Sequence, residues 1–284
     1  MSKKQLQIVQ NVQRAQYTPQ KLDNHSYAAP SHNDFAGLLV GNSPSGRFTG
    51  ARATMTIWKP KLNADNQYSS GSLYVEDGDN QIRVGWIVNP GLYGDSRTRL
   101  FSRWTSDNYE KTGCYINRCP GFVITSNVVP LDYGFPQTSK SYGEQFDVTL
   151  EMHKGTPTSD WELYYNGNLL GTWTRSIFSK MGESARQLRF GGEIYEPENE
   201  DNSPQMGSGT FKYKKYDRTA YMRRLAYSDP VKGDFSVGDA MILQVQESRC
   251  FLAGAQAYNS GDDWWRYSFI YGGTGGPDHS RCVY

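Results

Sequence analysis

The sequence predicts an all-β protein in which two antiparallel sheets pack against each other. Its 284 residues include 20 Tyr, 12 Phe, 7 Trp and 29 Gly, a composition typical of aromatic strands joined by many turns. Apolar residues recur with a period of two along most of the chain, and only residues 176–184 have a short helical pattern. The pair Asn166-Gly167 between two apolar segments predicts a tight hairpin, since that turn needs positive φ at both central residues.

Strands are predicted in chain order from this alternation. The first fifty or so residues are polar and turn-rich, so the first well-marked strand is expected at 51–59, after "NSPSG". Further alternating segments lie at 73–75, 81–88, 122–126, 145–153, 161–173, 188–195, 219–228, 241–246 and 264–271. The "NPG" segment after 88 is expected to be a turn leading to the next strand, and 196–209 a polar loop.

Charge and composition exclude several classes of partner and site. Thirty basic and 29 acidic residues are interspersed and give a net charge of +1, so neither nucleic acid nor an anionic membrane surface is an expected partner. No stretch approaches the roughly 18 apolar residues of a membrane span. The four histidines are scattered and the cysteines lack the spacing of zinc sites, so no metal site is predicted. An even count of four cysteines fits two disulfides in an oxidising compartment.

Two predicted strands carry charges beside glycines on the face opposite their apolar residues. In "QIRVGWIV" these are Arg83 and Gly85, and in "QLRFGGEIY" they are Arg189, Gly191 and Glu193. Glycine removes side-chain bulk and lets a ligand backbone approach a strand, which indicates a cleft. The alternative from spacing alone is that the glycines mark bulges and the charges face solvent.

Five segments in a fixed order resemble the neprosin domain family, a group of plant-type glutamic peptidases that cut after proline. They are "GARATMTIWKPK", "VGWIVNPGLYGDSRTRLFSRWTSDNYEKTGCYINRCPGFV", "RFGGEIY", "PQMGSG" and "DDWWRYSFIYGGTGGPDHSRC". The resemblance implies a β-sandwich of two antiparallel sheets with a groove along one face, over residues 25–284, with residues 1–24 as an N-terminal extension. It further implies no cofactor, disulfides at Cys114–Cys119 and Cys250–Cys282, and secretion, although no signal peptide is visible in "MSKKQLQIVQNVQRAQ".

The resemblance also implies a catalytic pair of glutamates across the groove, one activating water and the other donating a proton. Glu193 stands where one of them is found. The family's "EAGW" is "RVGW" here, so Arg83 takes the place of the other, and an arginine cannot act as a base. Further groove candidates are Gly85, Arg189, Gly191 and Gln205.

These residues lead to the hypothesis of a catalytically impaired neprosin-like protein. An Arg83–Glu193 ion pair would hold Glu193 ionised, which favours recognition over hydrolysis. The expected partner is a peptide or protein, with a glycan as an alternative.

Two alternatives remain open at this stage. The chain could be an active endopeptidase in which a neighbouring acid, Glu76, Asp77 or Asp79, replaces the missing glutamate. It could also be a secreted toxin or lectin-like module, because exposed aromatic rings stack on sugars. The residues behind this second alternative are Trp58, Trp161, Trp173, Trp264 and Trp265.

Overall fold

The computed structural model describes residues 32–41, 43–116, 118–197, 202–211, 216–231, 233, 242–246, 250–256 and 264–277. The predicted extension at 1–24 and the domain boundary at residue 25 lie outside the described residues, so both stay predictions. Within the described ranges, no helix is long and apolar enough to cross a membrane.

The described chain is almost entirely β-strand. In chain order the strands are β1 His32–Gly41, β2 Gly50–Thr56, β3 Tyr68–Asp77, β4 Asn80–Val88, β5 Arg99–Thr105, β6 Cys114–Tyr115, β7 Phe122–Ile124, β8 Asp147–Lys154, β9 Trp161–Tyr165, β10 Asn168–Trp173, β11 Gln187–Glu196, β12 Asn202–Ser203, β13 Ala220–Ser228, β14 Ile242–Gln246, β15 Leu252–Gln256, β16 Ser268–Gly272 and β17 Gly276–Pro277. A one-turn helix, α1, spans Pro90–Tyr93, and a 3₁₀ turn spans Arg175–Ile177.

These strands form two large antiparallel sheets. One sheet has seven strands in the order β14-β1-β11-β3-β4-β5-β6, and the other has eight in the order β15-β16-β13-β2-β8-β9-β10-β7. Apolar side chains from both sheets meet in one core, including Trp86 from the first sheet and Trp161 and Trp173 from the second. The predicted all-β sandwich of two antiparallel sheets is therefore confirmed.

The hairpin prediction is also confirmed in detail. Asn166 and Gly167 join β9 to β10 with φ of 47° and 82°, the left-handed values that the turn requires.

Three local predictions were wrong. The polar N-terminal region contains β1, a full strand that pairs with β11. The helical candidate at 176–184 forms only the 3₁₀ turn Arg175–Ile177, because Phe178 is already extended. The expected turn after 88 contains α1, which Pro90 begins and Gly94 ends with φ of 78°.

Candidate active site

Adjacent strands bring Arg83 and Glu193 to the same face of the seven-stranded sheet. Strand β3 lies between β4 and β11, with Tyr74 opposite Arg83 on one side and Ser70 opposite Glu193 on the other. Since side chains alternate along a strand, Ile82 and Val84 beside Arg83 point into the core, as does Ile194 beside Glu193. The period-two pattern thus places both charges on the outer face, where the sequence predicts them.

The two side chains form an ion pair inside a set of hydroxyl donors. Nη1 of Arg83 donates to Oε1 of Glu193, and the Tyr68 hydroxyl donates to the same oxygen. The Tyr74 hydroxyl donates to Oε2 over 2.9 Å. The Glu193 side chain is only 12% exposed, so three protein donors replace most of its water.

The guanidinium of Arg83 is bound on every side. Its Nη2 donates to the Ser70 hydroxyl and its Nε to the Ser72 hydroxyl, the latter over 3.1 Å. Its Cζ lies 4.9 Å from the Tyr74 ring centroid and 5.2 Å from that of Phe101. At 2% exposure, Arg83 is an internal cation, and each of its three nitrogens donates a hydrogen bond within the protein.

The pair fixes the ionisation of its members. Burial alone would raise the pKa of Glu193, but the charge of Arg83 and the hydroxyl of Tyr68 outweigh it and lower that pKa below its ordinary value. Burial would lower the pKa of Arg83, and the charge of Glu193 reverses this and raises it. Burial also raises the pKa of Tyr68 and Tyr74, so both phenols stay protonated as donors.

A second ion pair lies further along the same face. Nε and Nη2 of Arg189 donate to the two carboxylate oxygens of Glu76 over 3.0 and 2.7 Å. Glu76 lies on β3, six positions from the residue that faces Glu193, a separation of about 20 Å along a strand. Asp77 binds Arg47, and Asp79 binds Lys180 at the surface. None of the three acids is therefore placed beside Glu193.

Protein atoms fill the space above the two groove glycines. A Cβ on Gly191 would come within 2.8 Å of the Phe35 ring and would meet the backbone of Ala36 on β1. A Cβ on Gly85 would meet the backbone carbonyl of Gly71 on β3. At both positions the neighbouring strand approaches so closely that a side chain larger than that of glycine would not fit.

Gln205 lies apart from the ion pair. Its backbone N–H and side-chain oxygen bond the backbone of Lys61, over 2.9 and 3.0 Å. Two surface cavities lined by described residues, of about 610 and 390 Å³, do not include Arg83 or Glu193. The role of Gln205 in a groove stays a prediction.

The structure contains the disulfide between Cys114 and Cys119. Cys250 is disulfide-bonded as well, and its predicted partner Cys282 lies outside the described residues. Among the described residues no cluster of His, Cys, Asp or Glu could hold a metal ion.

The five tryptophans considered for sugar binding divide into two groups. Trp58, Trp161 and Trp173 are buried in the core and cannot stack on a ligand. Trp264 is 57% exposed, and Trp265 is half-buried against Tyr216.

Sequence reasoning missed the residues that complete the site. Tyr68, Ser70, Ser72 and Tyr74 share the outer face of β3 and supply hydroxyls to Arg83 or Glu193. The alternation of polar and small or apolar residues in "YSSGSLYVE" is the signal that could have found them. These residues are more than 100 positions from Glu193 in the sequence, so their contacts with it cannot be predicted before the strand order is known.

Comparison with known proteins gives one family match and several solved structures with limited similarity. Residues 65–274 match the family Neprosin. Scytalido-glutamic peptidase, solved with a peptide-based transition state analog, is 9% identical with a TM-score of 0.43, covering 86% of this chain and 98% of that one. SCP-B, a member of the eqolisin family of peptidases solved with the tripeptide Ala-Ile-His, is 8% identical with the same TM-score, covering 85% and 98%. CG-16, a homodimeric agglutinin from chicken liver, is 9% identical with a TM-score of 0.30, covering 57% and 96%. TM-scores this low do not assign the chain to a family, and its family membership rests on the match of residues 65–274 alone.

Proposed function

We propose, from the premise that the chain belongs to the Neprosin family, that it is a non-hydrolytic member that binds a peptide or protein ligand. The observation that carries the proposal is the buried pair of Arg83 and Glu193, whose charges are satisfied by each other and by tyrosine and serine hydroxyls.

Glu193 in this environment is a poor general base. A base works best when its pKa lies near the working pH, and the cation and hydroxyl donors lower the pKa of Glu193 instead. Oε1 of Glu193 accepts hydrogen bonds from both Arg83 and Tyr68, and Oε2 accepts one from Tyr74, so about one of the four acceptor positions of the carboxylate is left for a water. Activation of water by Glu193 is therefore disfavoured.

No proton donor stands in the place of the second glutamate. Arg83 is held more firmly protonated than a free arginine, because Glu193 and the surrounding phenols stabilise its charge. Tyr68 and Tyr74 also keep their protons, since burial raises their pKa. At neutral or acidic pH, none of these three side chains is suited to donate a proton during peptide hydrolysis and then recover it.

The alternative of a substitute acid is disfavoured by position. Glu76 lies on the same face, six positions along β3 from the residue that faces Glu193, and both of its oxygens are bound to Arg189. Asp79 is paired with Lys180 in the turn beyond β3. Two carboxylates must reach one water to share the chemistry, and these acids are instead bound to their own cations, Arg189 and Lys180.

Family membership and the Cys114–Cys119 disulfide also support an extracellular location for the protein. The proposed ligand is a peptide or protein segment because the family's groove is one that receives a polypeptide. Because Arg83 replaces one of the two catalytic glutamates, we expect this face of the sheet to bind a polypeptide without cleaving it.

The test is incubation of a proline-rich peptide library with the wild type between about pH 3 and 8. Products are read by mass spectrometry, and retained peptides are read by affinity capture on the immobilised protein. Glu193→Gln is the matched control because it removes the charge at nearly constant shape. We expect no cleavage product and retention of intact peptides. Turnover by the wild type that Glu193→Gln abolishes would overturn the proposal.

A further inference from the structure

We propose a second binding site, for a small polar molecule that carries a phosphate or sulfate monoester, in the surface cavity where β3 ends and β11 begins. It uses none of the residues of the Arg83–Glu193 site and does not depend on the proposed function. The cavity has a volume of about 610 Å³, which is typical of small-molecule sites. Three cationic side chains line it, those of Arg47, Lys180 and Arg186.

Arg47 and Arg186 lie side by side at the cavity because the residues next to them pair. Phe48 and Ala185 form an isolated antiparallel bridge, in which each backbone N–H donates to the other carbonyl over 2.8 Å. The residues that flank such a bridge lie opposite each other, with their side chains on the same side. Like charges in this position repel each other unless an anion lies between them.

One buried carboxylate serves both arginines. Oδ2 of Asp77 lies 3.1 Å from Nη1 of Arg47 and 3.6 Å from Nε of Arg186, and the Asp77 side chain is only 9% exposed. Glu76, the other acid of the cavity wall, is bound through both oxygens to Arg189, so its charge is already balanced. The two arginines therefore share a single negative charge, which leaves an excess of positive charge at the cavity.

Most donors of the two arginines can reach a ligand. The side chains of Arg47 and Arg186 are 39% and 66% exposed. Within the described part of the chain, Nε and Nη2 of Arg47 and both terminal nitrogens of Arg186 donate no hydrogen bond. A guanidinium presents its N–H groups as a planar fork that matches two oxygens of an oxyanion. One oxyanion can therefore be held between the two side chains.

Hydrogen bonds fix the backbone at both arginines. The N–H of Arg47 donates to the Ser43 hydroxyl over 2.8 Å, and that hydroxyl donates to the Arg47 carbonyl over 2.6 Å. The N–H of Arg186 donates to the carbonyl of Glu76 over 3.0 Å. Groups that are already in place lose less conformational entropy when a ligand binds.

Lys180 supplies the third cation, also from a fixed position. Its backbone N–H donates to Oδ1 of Asn80 over 2.9 Å, and Asn80 is fully buried. Gly78, between β3 and β4, has a φ of 59°, and a Cβ there would come within 2.8 Å of Nζ of Lys180. The glycine thus leaves room for the ammonium beside the cavity. Nζ also lies 3.1 Å from Asp79, but both side chains are exposed, and such a pair is weak in water.

The chemistry of the cavity fits a tetrahedral oxyanion on a small polar molecule. A phosphate or sulfate monoester has three terminal oxygens to share among three cations, whereas a carboxylate has two. Asp77 and Asp79 lie among the cations and would repel the further charges of a polyanion. The carboxamide of Gln187, also in the cavity wall, can bond hydroxyls on the rest of the ligand. A sugar phosphate or sugar sulfate has both features.

The test is calorimetric titration of the full chain with glucose-6-phosphate and glucose-6-sulfate at low ionic strength. Glucose, glucuronate, inorganic phosphate and inorganic sulfate are the comparison ligands, which separate the monoester from the sugar, the carboxylate and the free ions. The variants are Arg186→Gln, Lys180→Gln and Gln187→Ala, each checked for folding by circular dichroism. Arg97→Gln is the matched control, because Arg97 is a similarly exposed arginine that is paired with an aspartate outside the cavity.

We expect at least one of the two esters to bind more tightly than glucuronate or the inorganic ions. Arg186→Gln should weaken its binding by about tenfold and Lys180→Gln by about threefold, because each removes a charged donor. Gln187→Ala should weaken the ester but not the inorganic ion, and Arg97→Gln should bind as the wild type. The inference is overturned if neither ester binds, if Arg186→Gln binds as well as Arg97→Gln, or if glucuronate or the inorganic ions bind as tightly as the esters.

Discussion

Two buried arginines, one on each sheet, occupy similar surroundings with different access to solvent. Arg83 and Arg223 are 2% and 4% exposed, and each is paired with a carboxylate and lies over aromatic rings. The carboxylate of Glu193 is bonded through both oxygens and is 12% exposed, whereas Asp147 is bonded through one oxygen and is 23% exposed. The ring over Arg223 belongs to Trp264, which is 57% exposed.

The comparison shows that the donors around an arginine–carboxylate pair set how far water can reach it. Where donors enclose both partners, as around Glu193, the pair is a closed unit whose ionisation cannot change without cost. Where the carboxylate is more exposed and its hydrogen bonds from described residues go to one oxygen, as around Arg223, water can reach the pair from the carboxylate side. The two pairs should therefore differ in how much each contributes to the free energy of unfolding.

The largest effect is expected from removing the carboxylate of each pair. Glu193→Ala leaves Arg83 buried without its counter-ion and should lower the free energy of unfolding by about 3–5 kcal/mol. Asp147→Ala should cost only about 1–2 kcal/mol, because the Asp147 side chain is 23% exposed and its removal lets water solvate the guanidinium of Arg223. Urea unfolding at pH 7 measures both, and equal losses would mean that the two pairs do not differ as described.

A second effect concerns the direction of pH dependence at Glu193. In the wild type the lowered pKa means that Glu193 contributes stability above the ordinary glutamate pKa, near pH 4–5, and loses it as pH falls through the folded value. Arg83→Met removes the cation, so that burial dominates and raises that pKa. The variant should then lose stability as pH rises through the raised value.

The stability gap between wild type and Arg83→Met should therefore widen from pH 4 upward, to about 1–3 kcal/mol at pH 7. The gap is smaller than for Glu193→Ala because Glu193 can take up a proton, whereas Arg83 cannot lose one. Urea unfolding at half-unit pH steps checks this, with Arg223→Met as the matched variant on the other sheet. A gap independent of pH would contradict the account.

The smallest effect is expected at His153, on the same outer face as Asp147. Its ring nitrogens each lie 3.0 Å from a carboxylate oxygen, of Glu151 and of Glu162. The hydrogen bond to Glu151 raises the pKa of His153 despite partial burial. Stability from this group is complete below the ordinary histidine pKa and is lost as pH rises through the folded value.

His153→Gln should remove that pH dependence at a cost below about 1 kcal/mol, since the side chain is 28% exposed and solvent screens it. Thermal unfolding of both proteins at pH 5 and pH 8 measures the difference. A larger loss at pH 8 than at pH 5 would reverse the expected sign.

Much of the fold could be predicted from local pattern. Alternation gave β4 and β11 and put Arg83 and Glu193 on their outer faces, because a strand fixes side-chain direction every second residue. Asn166 and Gly167 marked the hairpin through their backbone preference alone. Strand β1 was missed since its polar surroundings hide "FAGLLV", which is stabilised by pairing with β11 rather than by its own pattern.

The candidate site was predictable only in part. Family resemblance placed Arg83 opposite Glu193, but the hydroxyls of Tyr68 and Tyr74 reach Glu193 through a strand order that no local pattern contains. The glycines were interpreted as room for a ligand, and the position of Phe35 over Gly191 depends on the unpredicted β1. Long-range pairing is what the sequence alone leaves open.

The most direct test of the central claim is cleavage of a proline-rich peptide by Arg83→Glu, compared with the wild type and with the double variant Arg83→Glu/Glu193→Gln. Initial rates are measured by mass spectrometry from pH 3 to 8 after circular dichroism confirms folding. If the buried arginine is what prevents hydrolysis, only Arg83→Glu should cut. Cleavage by the wild type at a similar rate would contradict the account, and so would cleavage by the double variant.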